Sequence, residues 1–334
     1  MKNIFPSFKL SEKTLELIKE ARAVTDSLYG NGIYIRGIIE YSNICRKNCT
    51  YCGIRSGKSS VTRYRLSEDE IVNVAEKHIK NGIKTVVLQG GEDPEITTEV
   101  LCRISGRIKE FDPESAITLS IGKKTYDEYC ELKSAGADRF LIRFETSNEK
   151  LYKALHPGET LKERLEDIYN IRKAGFELGS GFMAGLPGED EGDTERNLEL
   201  LKDLGVHMIG VGPFIPSPGT PLENFPPPSV DTLISIYARM RIMFPDVNIA
   251  ATTAMDALAS GTRALSFEAG ANVLMPNLTP KNEQANYNLY TRKGSVDENL
   301  SSFASVAAEL QKLGYTALFN ERGDSKRFIR EYRK

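Results

Sequence analysis

The sequence predicts an α/β protein of the (β/α)8 TIM-type barrel class, with an N-terminal helix ahead of the barrel and C-terminal helices closing it. Three observations point there. Eight apolar, β-branched runs recur through the 334 residues, their starts 23 to 51 residues apart. Amphipathic stretches with helix-start signals lie between them, and apolar runs alternating with helices make a parallel sheet covered by helices. No G-x-G-x-x-G follows the first run, which disfavours the doubly wound dinucleotide-binding sheet. Eight units suit a closed ring; seven or six would suit an open or partial one.

The stretch from about Leu10 to Leu28 reads as a helix packed before the barrel. The runs follow in order: IYIRGIIEYS from Ile33, KTVVLQGG from Lys84, AITLSIG from Ala116, RFLIRFET from Arg139, ELGSGFMAG from Glu177, MIGVGPFI from Met208, NIAATTAM from Asn248 and ANVLMPN from Ala271. Ser67 and Glu70 open a capping box for a helix that ends at Gly82, and Thr160 with Glu163 opens another. The tail after Tyr290 reads as one or two closing helices. The expected organisation is one structural unit: an extension over 1–32, a barrel over 33–290 and a helical segment over 291–334.

Composition narrows the function. Lys and Arg total 44 against 46 acids, a net charge of −2, so no global charge marks a nucleic-acid or membrane-surface binder. No apolar stretch reaches the ~20 residues of a membrane span. The charged N-terminus lacks the apolar region of a signal peptide. Five cysteines, three of them within eight residues, argue against a secreted disulfide framework and for a metal or cluster site. A cytoplasmic location is expected.

In such a barrel the chemistry sits at the C-terminal ends of the strands. Directly after the first run come Cys45, Cys49 and Cys52, a C-x3-C-x2-C loop. Three thiolates this close can hold three corners of one cluster and leave one iron open to react. Structural zinc is the alternative, but it takes four ligands. The nearest other candidate, His78, lies inside a helix pattern, and Cys102 and Cys130 belong to separate helices. From Arg46 to Arg65 the chain carries six basic residues and no acid. These would stabilise an anionic cluster and steer an acidic electron donor. The remaining strand ends carry Gln89-Gly90-Gly91-Glu92, Arg143-Phe144-Glu145, small residues around Gly179–Met183 and Met208–Pro213, Thr252-Thr253, and Met275, with Tyr287 and Tyr290 after it.

The cysteine loop, with aromatic Tyr51 before its third cysteine, resembles the signature of the radical S-adenosylmethionine (SAM) superfamily. That resemblance implies a 4Fe–4S cluster on Cys45, Cys49 and Cys52, with the amino and carboxylate groups of SAM on the open iron. It also implies reductive cleavage of SAM to a 5′-deoxyadenosyl radical or its addition product. Carried over by position, Tyr51, Gln89, Gly90, Gly91, Glu92, Glu145, Arg164, Met183, Tyr287 and Tyr290 fall on the cofactor side. Within that group the glycine-rich segment meets the amino group of SAM, Glu145 the ribose and Arg164 the carboxylate.

The phrases IIEYSNICRKNCTYCGIR, TVVLQGGEDP, MAGLPGE, GVGPFIPSPGTPL, AATTAM and GANVLMPN resemble the HydE-type FeFe-hydrogenase maturases. That family implies an iron–cysteine carbonyl/cyanide precursor as substrate, lined by Arg143, Thr252, Thr253, Met208 and Met275. Its partners would be an electron donor such as a flavodoxin or ferredoxin, and other hydrogenase maturases. Methylornithine-synthase-like amino-acid mutases share the same barrel, and a zinc- or cluster-stabilised binding protein without turnover is an alternative of another class. Three positions depart from the family pattern: Phe144, Gly90 and Lys123. They are expected around the substrate end. No cysteine follows Cys130, so a second C-terminal cluster is not expected from this chain's own residues.

Overall fold

The computed structural model describes residues 8–290 and 303–333; the start of the expected closing segment, 291–302, lies outside them. Every one of the eight apolar runs supplies a barrel strand. The strands are β1 (Gly32–Ile35), β2 (Gly37–Ser42), β3 (Thr85–Gly90), β4 (Ala116–Ser120), β5 (Arg139–Leu141), β6 (Glu177–Ser180), β7 (Met183–Ala184), β8 (Met208–Ile209), β9 (Gly212–Pro213), β10 (Asn248–Ala251), β11 (Val273–Leu274) and β12 (Thr316–Leu318). These strands pair with one another only in parallel, as expected for strands covered by helices.

The first run divides at Arg36, and this closes the ring. Its lower half, β1, pairs with β11, while its upper half, β2, pairs with β3. Backbone N–H groups of Tyr34, Arg36 and Ile38 donate in turn to the carbonyls of Asn272, Leu274 and Pro276, so the ladder runs unbroken up that edge. The fifth and sixth runs also divide, and their upper pieces β7 and β9 pair apart from the main sheet. Gly181 explains the close crossing: a Cβ there would lie 2.1 Å from the Gly210 carbonyl oxygen.

Helix α1 (Glu12–Tyr29) packs on the outside against α8 (Val230–Met243). The others are α2 (Glu68–Lys80), α3 (Thr98–Phe111), α4 (Tyr126–Ser134), α5 (Glu149–Leu155), α6 (Leu161–Lys173), α7 (Asp193–Leu204), α9 (Ala254–Leu258), α10 (Thr262–Glu268), α11 (Lys281–Gln284), α12 (Phe303–Lys312) and α13 (Lys326–Tyr332). Both expected capping boxes form, and Thr125 with Glu128 makes a third at α4. No helix among the described residues is long and apolar enough to cross a membrane.

The closing segment is more than helical. Between α12 and α13 the chain forms β12, which pairs with the edge of β1 left open beneath β3. The turn that follows plugs the floor of the barrel. Arg36 and Asn248 both donate to the Gly323 carbonyl at 2.8 Å, and Thr85 Oγ1 donates to the Arg322 carbonyl at 2.8 Å. Arg139, wholly buried, pairs with Glu177 and Asp324 and donates to Thr85 Oγ1.

Removing that guanidinium strands two buried carboxylates, so Arg139→Met is expected to cost about 3–5 kcal/mol in urea denaturation. Asp324 gives the same cluster a pH signature. Burial favours its neutral form, but Arg139, Arg322 and Arg333 override that and hold it at about 2. Its contribution is therefore complete above an ordinary Asp pKa of about 4 and is lost as pH falls through the folded value. Asp324→Asn is expected to flatten that acid limb of the stability–pH profile.

Candidate active site

One cavity of about 370 Å³ runs down the barrel axis from the cysteine loop to Arg36. The structure brings to its wall all of the residues singled out above for cluster, cofactor and substrate. The strand ends account for most of them, since parallel strands of one ring deliver their last residues to one face.

The cysteine loop is fastened from beneath. Asn43, wholly buried, donates to the carbonyls of Thr62 and Asn286 and accepts from the Tyr64 N–H. Arg63 forks onto the carbonyls of Asn43, Ile54 and Arg55 at 2.5–2.7 Å. Thus the chain on both sides of the three sulfurs is held by one guanidinium. Cys45 Sγ accepts from the backbone N–H groups of Lys47 and Glu92, each at 3.4 Å. Burial raises all three thiols, Cys49 to about 12 and Cys52 to about 11. Such thiols are inert alone and become thiolates when a metal displaces the proton. Among the described residues no three His, Cys, Asp or Glu side chains are placed to hold a single metal ion. A trio with no fourth ligand suits a polynuclear cluster better than one tetrahedral zinc.

The basic stretch is extensively paired within the chain. Arg46 pairs with Glu92, Lys47 with Glu159 and Glu92, and Arg65 with Asp93 and Glu95. Arg63 is consumed by carbonyls and Arg55 donates to Asn48 Oδ1. Most of these cations therefore also fasten the loop.

Two glycines make close packing behind the sulfurs possible. A Cβ on Gly90 would lie 2.4 Å from the Tyr41 ring, and one on Gly91 2.2 Å from the Ile44 carbonyl oxygen and 2.8 Å from Cys45 Cβ. The departure at Gly90 thus has a local cause in Tyr41. Phe144 overturns the expectation that the departures cluster at the substrate end: it is fully buried in the core, stacked on Phe182, and does not line the cavity. Lys123 stays off the wall too, reaching Glu159 at 3.9 Å.

Across the mouth, Glu145 sits in the left-handed region at φ 63°, a strained conformation for a residue with a side chain. Its Oε1 accepts from Arg143 Nε at 3.1 Å, while Oε2 is buried on the cavity wall without a partner. Arg164 is buried instead of forming a surface ion pair; its Nε donates to Tyr152 Oη at 3.0 Å and Nη2 to Glu159 at 3.4 Å. Met183 packs with Leu155, Leu186, Phe214 and Tyr51. Deeper down, Met208 Sδ accepts from Arg36 at 2.8 Å and Thr252 Oγ1 donates to the Val211 carbonyl at 3.3 Å. Thr253 and Tyr290 share a hydrogen bond of 2.9 Å, and burial raises the buried Tyr287 phenol.

Several polar lining residues escaped the sequence reading, among them His156, Glu159, Arg36, Glu40 and Thr118, and Lys47 was not read as a site residue. His156 is one of only three histidines in the chain, and that scarcity was its one available signal.

Comparison with known proteins agrees with this geometry. Residues 39–201 match the family model of the Radical SAM superfamily. The chain is 39% identical to the [FeFe] hydrogenase maturase subunit HydE of Thermotoga maritima, over 89% of each chain. It therefore belongs to the radical SAM superfamily, in the HydE-type branch. A 3-methylornithine synthase of Methanosarcina acetivorans is 28% identical over 91% of this chain and 86% of its own. The crystal structure of methylornithine synthase (PylB) superposes with a TM-score of 0.80 at 26% identity, covering 94% of this chain and 92% of that one. The protein is an enzyme, and its cofactors are those of the superfamily, a 4Fe–4S cluster and SAM. The donor set fits them: three half-buried thiols, one with two N–H donors on its sulfur, a glycine cradle behind, and an orphaned carboxylate oxygen opposite.

Gly91→Ala tests the cradle. The added methyl is expected to push Cys45 out of place, so iron bound per chain after anaerobic reconstitution falls well below wild type. The folded apoprotein should lose only about 1–3 kcal/mol.

Proposed function

We propose that this enzyme works in assembly of the FeFe-hydrogenase metal centre, acting on an iron–cysteine carbonyl/cyanide precursor with SAM as radical source. The observation that carries the reading is the single cavity shared by the three thiols, the SAM-directed residues and the substrate-directed residues, in a chain 39% identical to a HydE maturase. When bound, the reduced cluster supplies the electron that breaks a sulfonium C–S bond of SAM.

The rest falls to the chain's own residues. Cys45, Cys49 and Cys52 would hold three irons. Arg164, already paired with Glu159, would take the SAM carboxylate, and the backbone at Gly90 and Gly91 its amino group. Glu145 Oε2 accepts ribose hydroxyls. On the substrate side the Arg143 guanidinium and the Thr252 and Thr253 hydroxyls match a cysteinyl carboxylate. Met208 and Met275 offer polarisable sulfur to a soft organometallic ligand. The plugged floor keeps water from entering below. An electron donor such as a flavodoxin or ferredoxin and the other hydrogenase maturases complete the proposed partners.

Anaerobic reconstitution is expected to give one 4Fe–4S cluster per chain. With dithionite, SAM and the iron–cysteine precursor, the enzyme should release 5′-deoxyadenosine or an adenosylated product. Cys45→Ala, Cys49→Ala and Cys52→Ala should each abolish the paramagnetic resonance signal of the reduced cluster. Product formed with lysine and none with the precursor would overturn the substrate assignment; a signal kept in all three variants would overturn the ligand assignment.

A further inference from the structure

We infer that His156 is a positioning residue for SAM: it accepts the hydrogen bond of the Tyr51 hydroxyl, so that Arg143 alone holds Glu145 Oε1 and Oε2 stays presented for the ribose. This rests on the SAM-binding reading just given and extends it to a residue outside the cysteine motif and the strand ends.

The geometry fixes the direction of each hydrogen bond. His156 caps the C-terminal end of α5, and its Nδ1 lies 3.2 Å from the Tyr152 carbonyl oxygen. A carbonyl only accepts, so Nδ1 carries the hydrogen. Burial, with Arg164 nearby, lowers the imidazole to about 4, so the ring is neutral and Nε2 is a bare acceptor. Tyr51 Oη stands 3.1 Å from that Nε2 and 3.4 Å from Glu145 Oε1. A phenol has one hydrogen to give. The shorter contact and the bare nitrogen commit it to His156.

The consequence lies on Glu145. Arg143 already serves its Oε1, and Oε2 faces the cavity without a partner. If the phenol turned to the carboxylate instead, it would meet Oε1, compete there with Arg143 and loosen the contact that keeps Oε2 facing the cavity. Rotation of the imidazole is blocked on both faces that matter. The ring stacks on Tyr152 at 4.3 Å and meets the Tyr51 ring edge-on at 5.6 Å. A neutral imidazole, with a donor at one nitrogen and an acceptor at the other, satisfies the Tyr152 carbonyl and the Tyr51 hydroxyl together.

The test is SAM binding by equilibrium dialysis to reconstituted protein of matched iron content. His156→Phe should weaken binding about tenfold, the usual scale for one misdirected buried hydrogen bond. Added to Tyr51→Phe, which has no proton to misdirect, the same change should alter Kd less than twofold. His156→Gln, which can place an acceptor near the Nε2 position, should bind SAM several-fold more tightly than His156→Asn, which cannot. That pair decides the matter should His156→Phe fail to hold iron. Equal Kd values for His156→Gln and His156→Asn, a His156→Phe Kd equal to wild type, or an equal His156→Phe effect in the Tyr51→Phe background would overturn the inference while leaving the SAM reading intact. A wild-type protein with full iron that bound no SAM would bring down both.

Discussion

A guanidinium taken wholly out of water costs several kcal/mol unless it is met by charge and hydrogen bonds, and the floor of this barrel is organised around one. Arg139 finds Glu177 on the neighbouring strand, the Thr85 hydroxyl across the ring, and Asp324 with the Arg322 carbonyl from the end of the chain. The last part of the chain thereby becomes part of the barrel: lifting it away would expose Arg139 to an incomplete set of partners. Opposite this floor, on the face where parallel strands end, stand the sulfurs.

Satisfaction below is matched by incompleteness above. Glu145 Oε2, Thr118 Oγ1 and Arg36 Nε are buried, line the cavity and lack partners. A buried polar atom left unpaired costs about 1–3 kcal/mol, and the left-handed backbone at Glu145 adds strain of similar order. Such costs persist where the surrounding fold over-determines them. Here the Glu145–Phe182 bridge and the packed strand ends do so. The site is stiff before a ligand arrives, which lowers the ordering cost of binding.

The barrel was legible because burial on both faces writes each strand as a continuous β-branched run, and ring geometry then assigns the strand ends to one cavity. The cysteine spacing was legible for the same reason: it is local. What stayed hidden depends on contacts between distant segments. The division of the first strand at Arg36 follows from ring closure with the last strand, and β12 forms only because half of β1 lacks a neighbour. Arg63 was legible only as one cation of the basic stretch, yet its partners are carbonyls of the cysteine loop on either side of the sulfurs. Phe144, expected around the substrate end, packs in the core against Phe182, while its neighbours Arg143 and Glu145 take the cavity.

Likeness to both a hydrogenase maturase and a methylornithine synthase means that one barrel carries more than one reaction. Specificity then has to lie in side chains beyond the cluster loop. In this chain the two halves of the wall are joined by an ion pair: Arg143, on the proposed substrate side, donates to Glu145, on the proposed SAM side. Glu145 is in turn 3.4 Å from Tyr51, within the cysteine loop itself. A substrate anion that draws on Arg143 removes part of what steadies Glu145, so the charge of the substrate is felt at the ribose position. Under the proposed assignments, substrate choice and SAM placement would be coupled through a single carboxylate, because one ion pair joins the two sides of the cavity.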